Sequence, residues 1–373
     1  MNNEKRIALF VSFSGQGGVE RMVSNLARGL VDAGFPVDLV LVKAQGDHVK
    51  SIPPQVRIVN LGASHTSTSL FALVRYLRRE RPAAVLAAKD RAIKTAVLAR
   101  ALARVDTRLA GRLGTTVSAA LEGRGRPRRW VWYTGMRLFY RFVDRIVAVS
   151  QGVADDVMHI TGLPADRVTV VRNPVWTPDL LERARLPVDH PWLSDKTIPV
   201  IMGAGRLTRQ KDFPTLLRAF ARLRETQPCR LILLGEGQQR AMLESLAAEL
   251  GVAEDVSLPG FAPNPYAYLA RASLFVLSSA WEGSPNVLTE ALALGVPVVA
   301  TDCPSGPREI LEGGRYGKLC PVGGVEALAQ AMRETLQNPL PPEILREAVR
   351  TYTVATSTEG YLEALGLGAR DMN

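Results

Sequence analysis

Residues 281–302, WEGSPNVLTEALALGVPVVATD, set a tight turn, a short helix and a buried strand end to end. Pro285 suits a first helical turn and Gly295 the position just past a helix end, so a helix is predicted from about Asn286 to Leu294. The Val-rich run Pro297–Ala300 then reads as a strand. Glu290 falls one turn into the helix and Glu282 in the loop before it. Both can face whatever occupies the helix N-terminus, where unsatisfied N–H groups and the helix dipole favour an anion such as phosphate. Carboxylates beside a phosphate are electrostatically awkward unless they accept hydrogen bonds from hydroxyls, which a sugar and a ribose supply. The spacing alone fits a solvated acidic helix face equally well.

Working outward, this unit is one of a series. Ile7–Val11 is a continuous apolar run, followed by Ser14-Gly15-Gln16-Gly17-Gly18 and by Val19, Met22, Val23, Leu26 and Leu30 at helical spacing. Val37–Val42, Ala83–Ala88, Ile146–Val149 and Val168–Val171 read as strands, and Ile93–Ala103 as a helix. Pro174 to Pro199 holds five prolines and little periodicity, and reads as an interdomain connection. A second alternating series follows: strands Pro199–Ala204, Arg230–Leu234, Val256–Leu258 and Leu274–Leu277, helices Pro214–Arg224 and Gln238–Leu250, then the opening unit. A helical ending with a break near Pro339-Leu340-Pro341-Pro342 closes the chain. Strands alternating with helices imply parallel sheets covered on both faces. The expected class is α/β, with two Rossmann-like, doubly wound domains facing a cleft.

Composition agrees. At 373 residues the chain is about twice a typical domain. Three cysteines (Cys229, Cys303, Cys320) form no C-x-x-C pair, which suits a reduced, cytoplasmic protein. Lys5 and Arg6 precede an apolar run, but it is short and lacks a cleavage-type site, so a buried strand is expected there rather than a signal peptide. No apolar stretch approaches the roughly 18 residues of a membrane span. Residues 1–190 carry a net charge of +13 and the remainder −3, so the first half is suited to an anionic partner.

The glycine loops differ in information. Gly15-Gln16-Gly17-Gly18 permits close approach to a phosphate, but Glu20 stands where the dinucleotide fingerprint needs glycine. A Rossmann-type oxidoreductase is thereby disfavoured. Gly203-Ala204-Gly205-Arg206-Leu207-Thr208-Arg209-Gln210-Lys211-Asp212 says more. Arg206 offers a fork and Lys211 a compact charge for phosphate oxygens, just beyond a parallel strand's carboxyl end.

Together these residues resemble the retaining, metal-independent glycosyltransferases of the GT-B fold, family 4. The matching pieces are Gly17-Gly18-Val19-Glu20, Val149-Ser150, Arg172-Asn173-Pro174-Val175, the Gly205–Asp212 loop, Leu234-Gly235-Glu236-Gly237 and Leu258-Pro259-Gly260-Phe261. The paired-Glu segment and Thr301-Asp302-Cys303-Pro304-Ser305-Gly306-Pro307-Arg308-Glu309-Ile310 complete the set. The resemblance implies an acceptor-binding domain over 1–185, rejoined by a last helix within 351–373, and a donor-binding domain over 190–350. It implies that Arg206 and Lys211 neutralise a donor diphosphate in place of a metal. Glu282 would hold hydroxyls of the transferred sugar and Glu290 those of the ribose. Gly205 and the first-turn residues Asn286 and Val287 would lie at the phosphates, Gly260 and Phe261 at the nucleobase, and Gly17 and Gly18 over the diphosphate from the other domain. No cofactor or metal is implied. The acceptor-side His of many family members has no counterpart in Ala110-Gly111-Arg112-Leu113-Gly114-Thr115-Thr116, a stretch read as a loop, leaving Arg112 and Thr115 as candidates. The four histidines (His48, His65, His159, His190) read as surface or loop residues.

One segment is left over. Arg124 to Phe142 interleaves arginines with Trp130, Trp132, Tyr133, Phe139 and Tyr140. Arg128, Arg129, Trp130 and Trp132 suit an anionic membrane interface, while a core helix with snorkelling arginines fits as well. No nucleic-acid-binding module accompanies it. The expected protein is a cytoplasmic glycosyltransferase, peripheral on the inner membrane face, moving a sugar from a UDP-sugar (GDP-mannose next) to a lipid-linked or polysaccharide acceptor. Transfer to a small soluble acceptor and non-catalytic nucleotide-sugar binding are the alternatives.

Overall fold

The computed structural model describes residues 5–13, 18–43, 52–194 and 197–368. The chain forms two compact units, Met1–Val175 with Tyr352–Asn373, and Trp176–Thr351.

The first unit holds strands β1 (Ile7–Val11), β2 (Val37–Leu41), β3 (Arg57–Asn60), β4 (Ala84–Ala88), β5 (Arg108–Leu113), β6 (Arg145–Ala148) and β7 (Val168–Val170). They form one sheet in the order β3-β2-β1-β4-β5-β6-β7, every neighbouring pair parallel. Alternate residues of β1 serve different cores, which explains its uninterrupted apolar run. Ala8 and Phe10 pack beneath helices Leu70–Glu80, Asp90–Ala103, Arg126–Tyr140 and Gln151–Thr161. Ile7, Leu9 and Val11 pack beneath helices Gly18–Asp32 and Val354–Ala364. The last helix is capped by Thr353, whose hydroxyl accepts from the Thr356 N–H at 3.1 Å. Its Tyr361 is fully buried in that second core.

The second unit holds β8 (Val200–Ala204), β9 (Arg230–Leu234), β10 (Val256–Gly260), β11 (Leu274–Leu277), β12 (Val298–Thr301) and β13 (Lys318–Cys320), ordered β10-β9-β8-β11-β12-β13 and again all parallel. Helices Phe213–Arg224, Arg240–Glu249 and Val325–Gln337 close one face over Ile201, Leu231, Leu233, Val276 and Val299. Leu216, Leu217, Phe220 and Leu223 supply the inward stripe of the first of them.

Several expectations are corrected. The boundary falls at Val175, not residue 185, because helix Leu180–Arg185 belongs to the second unit. There Asn264 Nδ2 donates to Arg183 O at 2.8 Å, and Arg271 Nη1 to Ala184 O at 3.0 Å. The proline-rich stretch therefore contains two short helices, the other being Pro191–Ser194. Edge strands β3 and β13 are short and carry exposed charges, so they gave no run to read. Ala110–Leu113, read as loop, belongs to central strand β5. His190 is buried, with Nε2 at 3.1 Å from Ser257 Oγ, while His65 and His159 are exposed. His48 lies outside the described residues.

Candidate active site

The second sheet builds outward from β8 in both directions, so the strand order reverses between β8 and β11. The loops leaving the carboxyl ends of these two neighbours flank the crevice where open parallel sheets bind ligands. The β8 loop turns at Gly205, whose φ is +152°. A Cβ there would lie 2.8 Å from Cε of Lys211, so the lysine stem crosses directly over the glycine. Gly235, at the end of β9, has φ +134° and no room for a side chain, since its Cβ would stand 2.0 Å from Gly205 O. Gly205 N donates to Leu234 O at 2.9 Å and Gly235 N to Gly260 O at 2.8 Å, which sets three strand-end turns side by side.

Lys211 is drawn towards the β11 loop. Its Nζ donates to Glu282 Oε1 at 2.6 Å, and Ser279 Oγ donates to the same oxygen at 2.7 Å. The backbones are joined as well: Ser278 Oγ donates to Lys211 O at 2.8 Å, and Ala280 N to Gln210 O at 2.8 Å. Gln210 Nε2 reaches Trp281 O at 3.1 Å. Behind this pair, Thr301 Oγ1 donates to Ser279 O at 2.6 Å and Ser305 Oγ to Gly283 O at 3.0 Å. Glu282 is only 6% exposed and Glu290 3%, which removes the solvated acidic face as a reading of this segment. Burial, and then the charge of Glu282, push the neighbouring Cys303 thiol up to about 12, so it stays protonated.

The other predicted residues fall as follows. Arg206 is exposed on the β8 loop and forms no ion pair among the described residues. Asn286 and Val287 are half-buried in the first turn of helix Asn286–Ala293, with Glu290 one turn on. Gly260 is buried at the end of β10, and Phe261 beyond it is 40% exposed. In the first unit, Gly18 opens helix Gly18–Asp32, and Gly17 lies outside the described residues. Arg112 is buried inside β5, donating from Nε to Tyr361 Oη at 3.1 Å and from Nη2 to Asn173 Oδ1 at 2.8 Å. It ties the last helix to the sheet. Thr115 is half-buried, with its hydroxyl shielded and without a hydrogen-bond partner among the described residues. On helix Arg126–Tyr140, Arg128 is exposed and Trp130 is 66% exposed. Arg129 is half-buried with its guanidinium over Tyr133, and Trp132 turns inward beneath Lys94 Nζ at 5.4 Å. No helix among the described residues is long and apolar enough to cross a membrane.

The sequence offered no motif signal for Ser278 and Ser279, and Ser305 entered only within the Thr301–Ile310 match. The first two immediately follow the apolar strand Leu274–Leu277, the position from which a parallel sheet presents side chains to a ligand. Chemically, the site joins an exposed guanidinium to an ammonium whose three donors exceed its one carboxylate partner. Two buried carboxylates stand on the adjoining loop and helix. Such a set can hold a phosphate and hydroxyl groups at once.

Residues 189–354 match the family model described as glycosyl transferases group 1, and residues 16–177 that of glycosyltransferase family 4. An uncharacterized glycosyltransferase of Methanocaldococcus jannaschii is 35% identical over 178 residues, 47% of this chain and 44% of that protein. The chain thus spans less than half the length of that relative. The Campylobacter jejuni N-acetylgalactosamine-N,N'-diacetylbacillosaminyl-diphospho-undecaprenol 4-alpha-N-acetylgalactosaminyltransferase is 28% identical over 345 residues, 90% of this chain and 91% of that one. Among solved structures, Anabaena HepE in complex with UDP and glucose superposes with a TM-score of 0.78 at 20% identity, covering 97% of this chain and 99% of that chain. That likeness is one of fold.

Proposed function

Since the chain belongs to the GT-B glycosyltransferases of family 4, we propose that it moves a sugar, with retention, from a nucleotide-sugar to a lipid-linked oligosaccharide or polysaccharide acceptor. The donor is a UDP-sugar, and the work is the assembly of a surface glycan. The observation that carries this reading is the Lys211–Glu282 pair, joined at 2.6 Å across the sheet's switch point with exposed Arg206 on the same loop.

When the anomeric C–O bond breaks, its electron pair passes to the departing diphosphate. Arg206 and Lys211 stabilise that growing charge without needing a metal. Glu282, held by Lys211 and Ser279, orients the sugar hydroxyls, and Glu290 the ribose hydroxyls. The acceptor oxygen bonds the anomeric carbon from the face the diphosphate leaves and passes its proton to the departing phosphate oxygen, so retention needs no protein nucleophile. Two similar proteins support the substrate classes: the Anabaena structure contains UDP and glucose, and the Campylobacter relative is named for transfer onto a diphospho-undecaprenol-linked sugar. A thermal-shift screen against nucleotide sugars tests the reading, because a ligand that binds only the folded state raises its melting temperature. Stabilisation by a UDP-sugar, absent in Lys211→Ala, is expected. No stabilisation by any nucleotide sugar would count against it.

The same reading places the protein in the cytoplasm against the inner membrane face. Trp130 and Val131 project from a helix that contains six cations or aromatic rings in its first eight residues and no acid. Flotation with anionic vesicles, lost at high salt and weakened by Arg128→Gln with Arg129→Gln, is the expected behaviour.

A further inference from the structure

The first unit contains a recess that the donor chemistry does not use. It lies at the amino ends of β5 and β6, opposite the carboxyl end of β5 at Leu113, and is an open recess of about 720 Å³. Four arginines line it, opposed by Asp106 and Asp144. Arg100 is committed, pairing with Asp144 at 2.5 Å and donating to the carbonyls of Thr107 and Phe142. Asp144 also accepts from Leu109 N at 2.6 Å, so its charge is well used. Arg167 is held by the carbonyls of Arg141 and Val143, which orient it without neutralising it. The guanidinium of Arg108 lies over Gly366, and that of Arg141 stacks on Phe142 at 4.8 Å. Arg108, Arg141 and Arg167 form no ion pair among the described residues. The recess therefore presents a net positive, fork-shaped lining suited to a phosphate.

We infer that this recess binds the phosphate of an anionic phospholipid headgroup. Phe142, itself part of the lining, is 51% exposed. Leu138, just before it, points outward from helix Arg126–Tyr140, as do Leu98 and Leu102 from helix Asp90–Ala103, and both helices cover the same face of the sheet. A free phosphate would engage the arginines and leave these apolar groups in water. A headgroup seated in the recess brings its acyl region against them. The inference rests on the membrane reading above, and adds a second contact beyond the other end of helix Arg126–Tyr140.

The test is flotation of the full chain with phosphatidylcholine vesicles, with and without phosphatidylglycerol. Arg141→Glu combined with Phe142→Ala, and Arg141→Gln as a milder variant, change only exposed side chains. The wild type is expected to float with the anionic vesicles, and the double variant to bind them roughly tenfold more weakly, with melting temperature and nucleotide-sugar stabilisation unchanged. If the wild type floats and the double variant floats equally, the headgroup site is wrong and the membrane reading stands. If the wild type fails to float, both fall. Inorganic phosphate stabilising the wild type but not Arg141→Gln, with equal flotation of the two, would identify a free-phosphate site and overturn the inference.

Discussion

Lys211 Nζ stands 2.6 Å from Glu282 Oε1, and the two residues sit on loops that leave neighbouring strands where the sheet's order reverses. In the proposed function, the cation for the phosphate and the acid for the sugar are thus one mechanical unit. Glu282→Gln keeps the size and weakens the pair. Affinity for free nucleotide should change only a few-fold, while transfer falls by about 100-fold. Steady-state kinetics beside nucleotide titration separates the two effects.

In the proposed function, Glu290 serves a different part of the donor, the ribose hydroxyls. Glu290→Gln should weaken free-nucleotide binding by roughly tenfold, the loss expected when hydrogen bonds to a charged acceptor become neutral. A 2′-deoxynucleotide provides the control in calorimetry. The wild type should lose affinity for it, and the variant should discriminate far less between the two ligands.

Gly235 has no tolerance for a side chain. Gly235→Ala would place a methyl group 2.0 Å from Gly205 O at a φ of +134°. It should destabilise the second unit by about 3 kcal/mol or more. Because Gly205 carries the Lys211 stem across it, donor binding should fall in the fraction that remains folded. Denaturant melts with and without nucleotide sugar report both.

A stability effect with a defined pH dependence comes from Asp38 on β2. Burial alone would raise its pKa, but the hydrogen bonds from Arg57 and Tyr76, with the charge of Arg6, outweigh it and hold the carboxyl below its ordinary range. With the folded pKa depressed, the stabilisation is complete above the unfolded value and is lost as pH falls through the folded one. The stability gap between wild type and Asp38→Asn should be constant near neutrality and shrink below about pH 4. Urea midpoints across that range check it, and a gap that widens in acid would contradict the assignment.

Much of this architecture was legible because periodicity survives in single elements. The apolar runs Ile7–Val11 and Leu274–Leu277 are strands buried on both faces, and Pro285 and Gly295 bracket the helix bearing Glu290. What was not legible depends on partners far along the chain. Arg112 looks like a loop cation between glycines, but β4 and β6 pair it into the sheet, and Asn173 and Tyr361, 61 and 249 residues later, take its guanidinium. Trp132 shares its helix with Trp130, yet Lys94 and the core take one ring while solvent takes the other. Ser279 gave no pattern because its role, holding the Glu282 carboxylate, is set by a turn rather than a repeat.

The most direct test of the central claim is nucleotide release coupled to glycan transfer from a UDP-sugar, measured with excess chelator in wild type, Lys211→Ala and Glu282→Gln. Transfer should persist in the wild type with chelator and fall at least about 100-fold in both variants, with the product's anomeric configuration retained. Equal turnover in all three proteins would contradict the account.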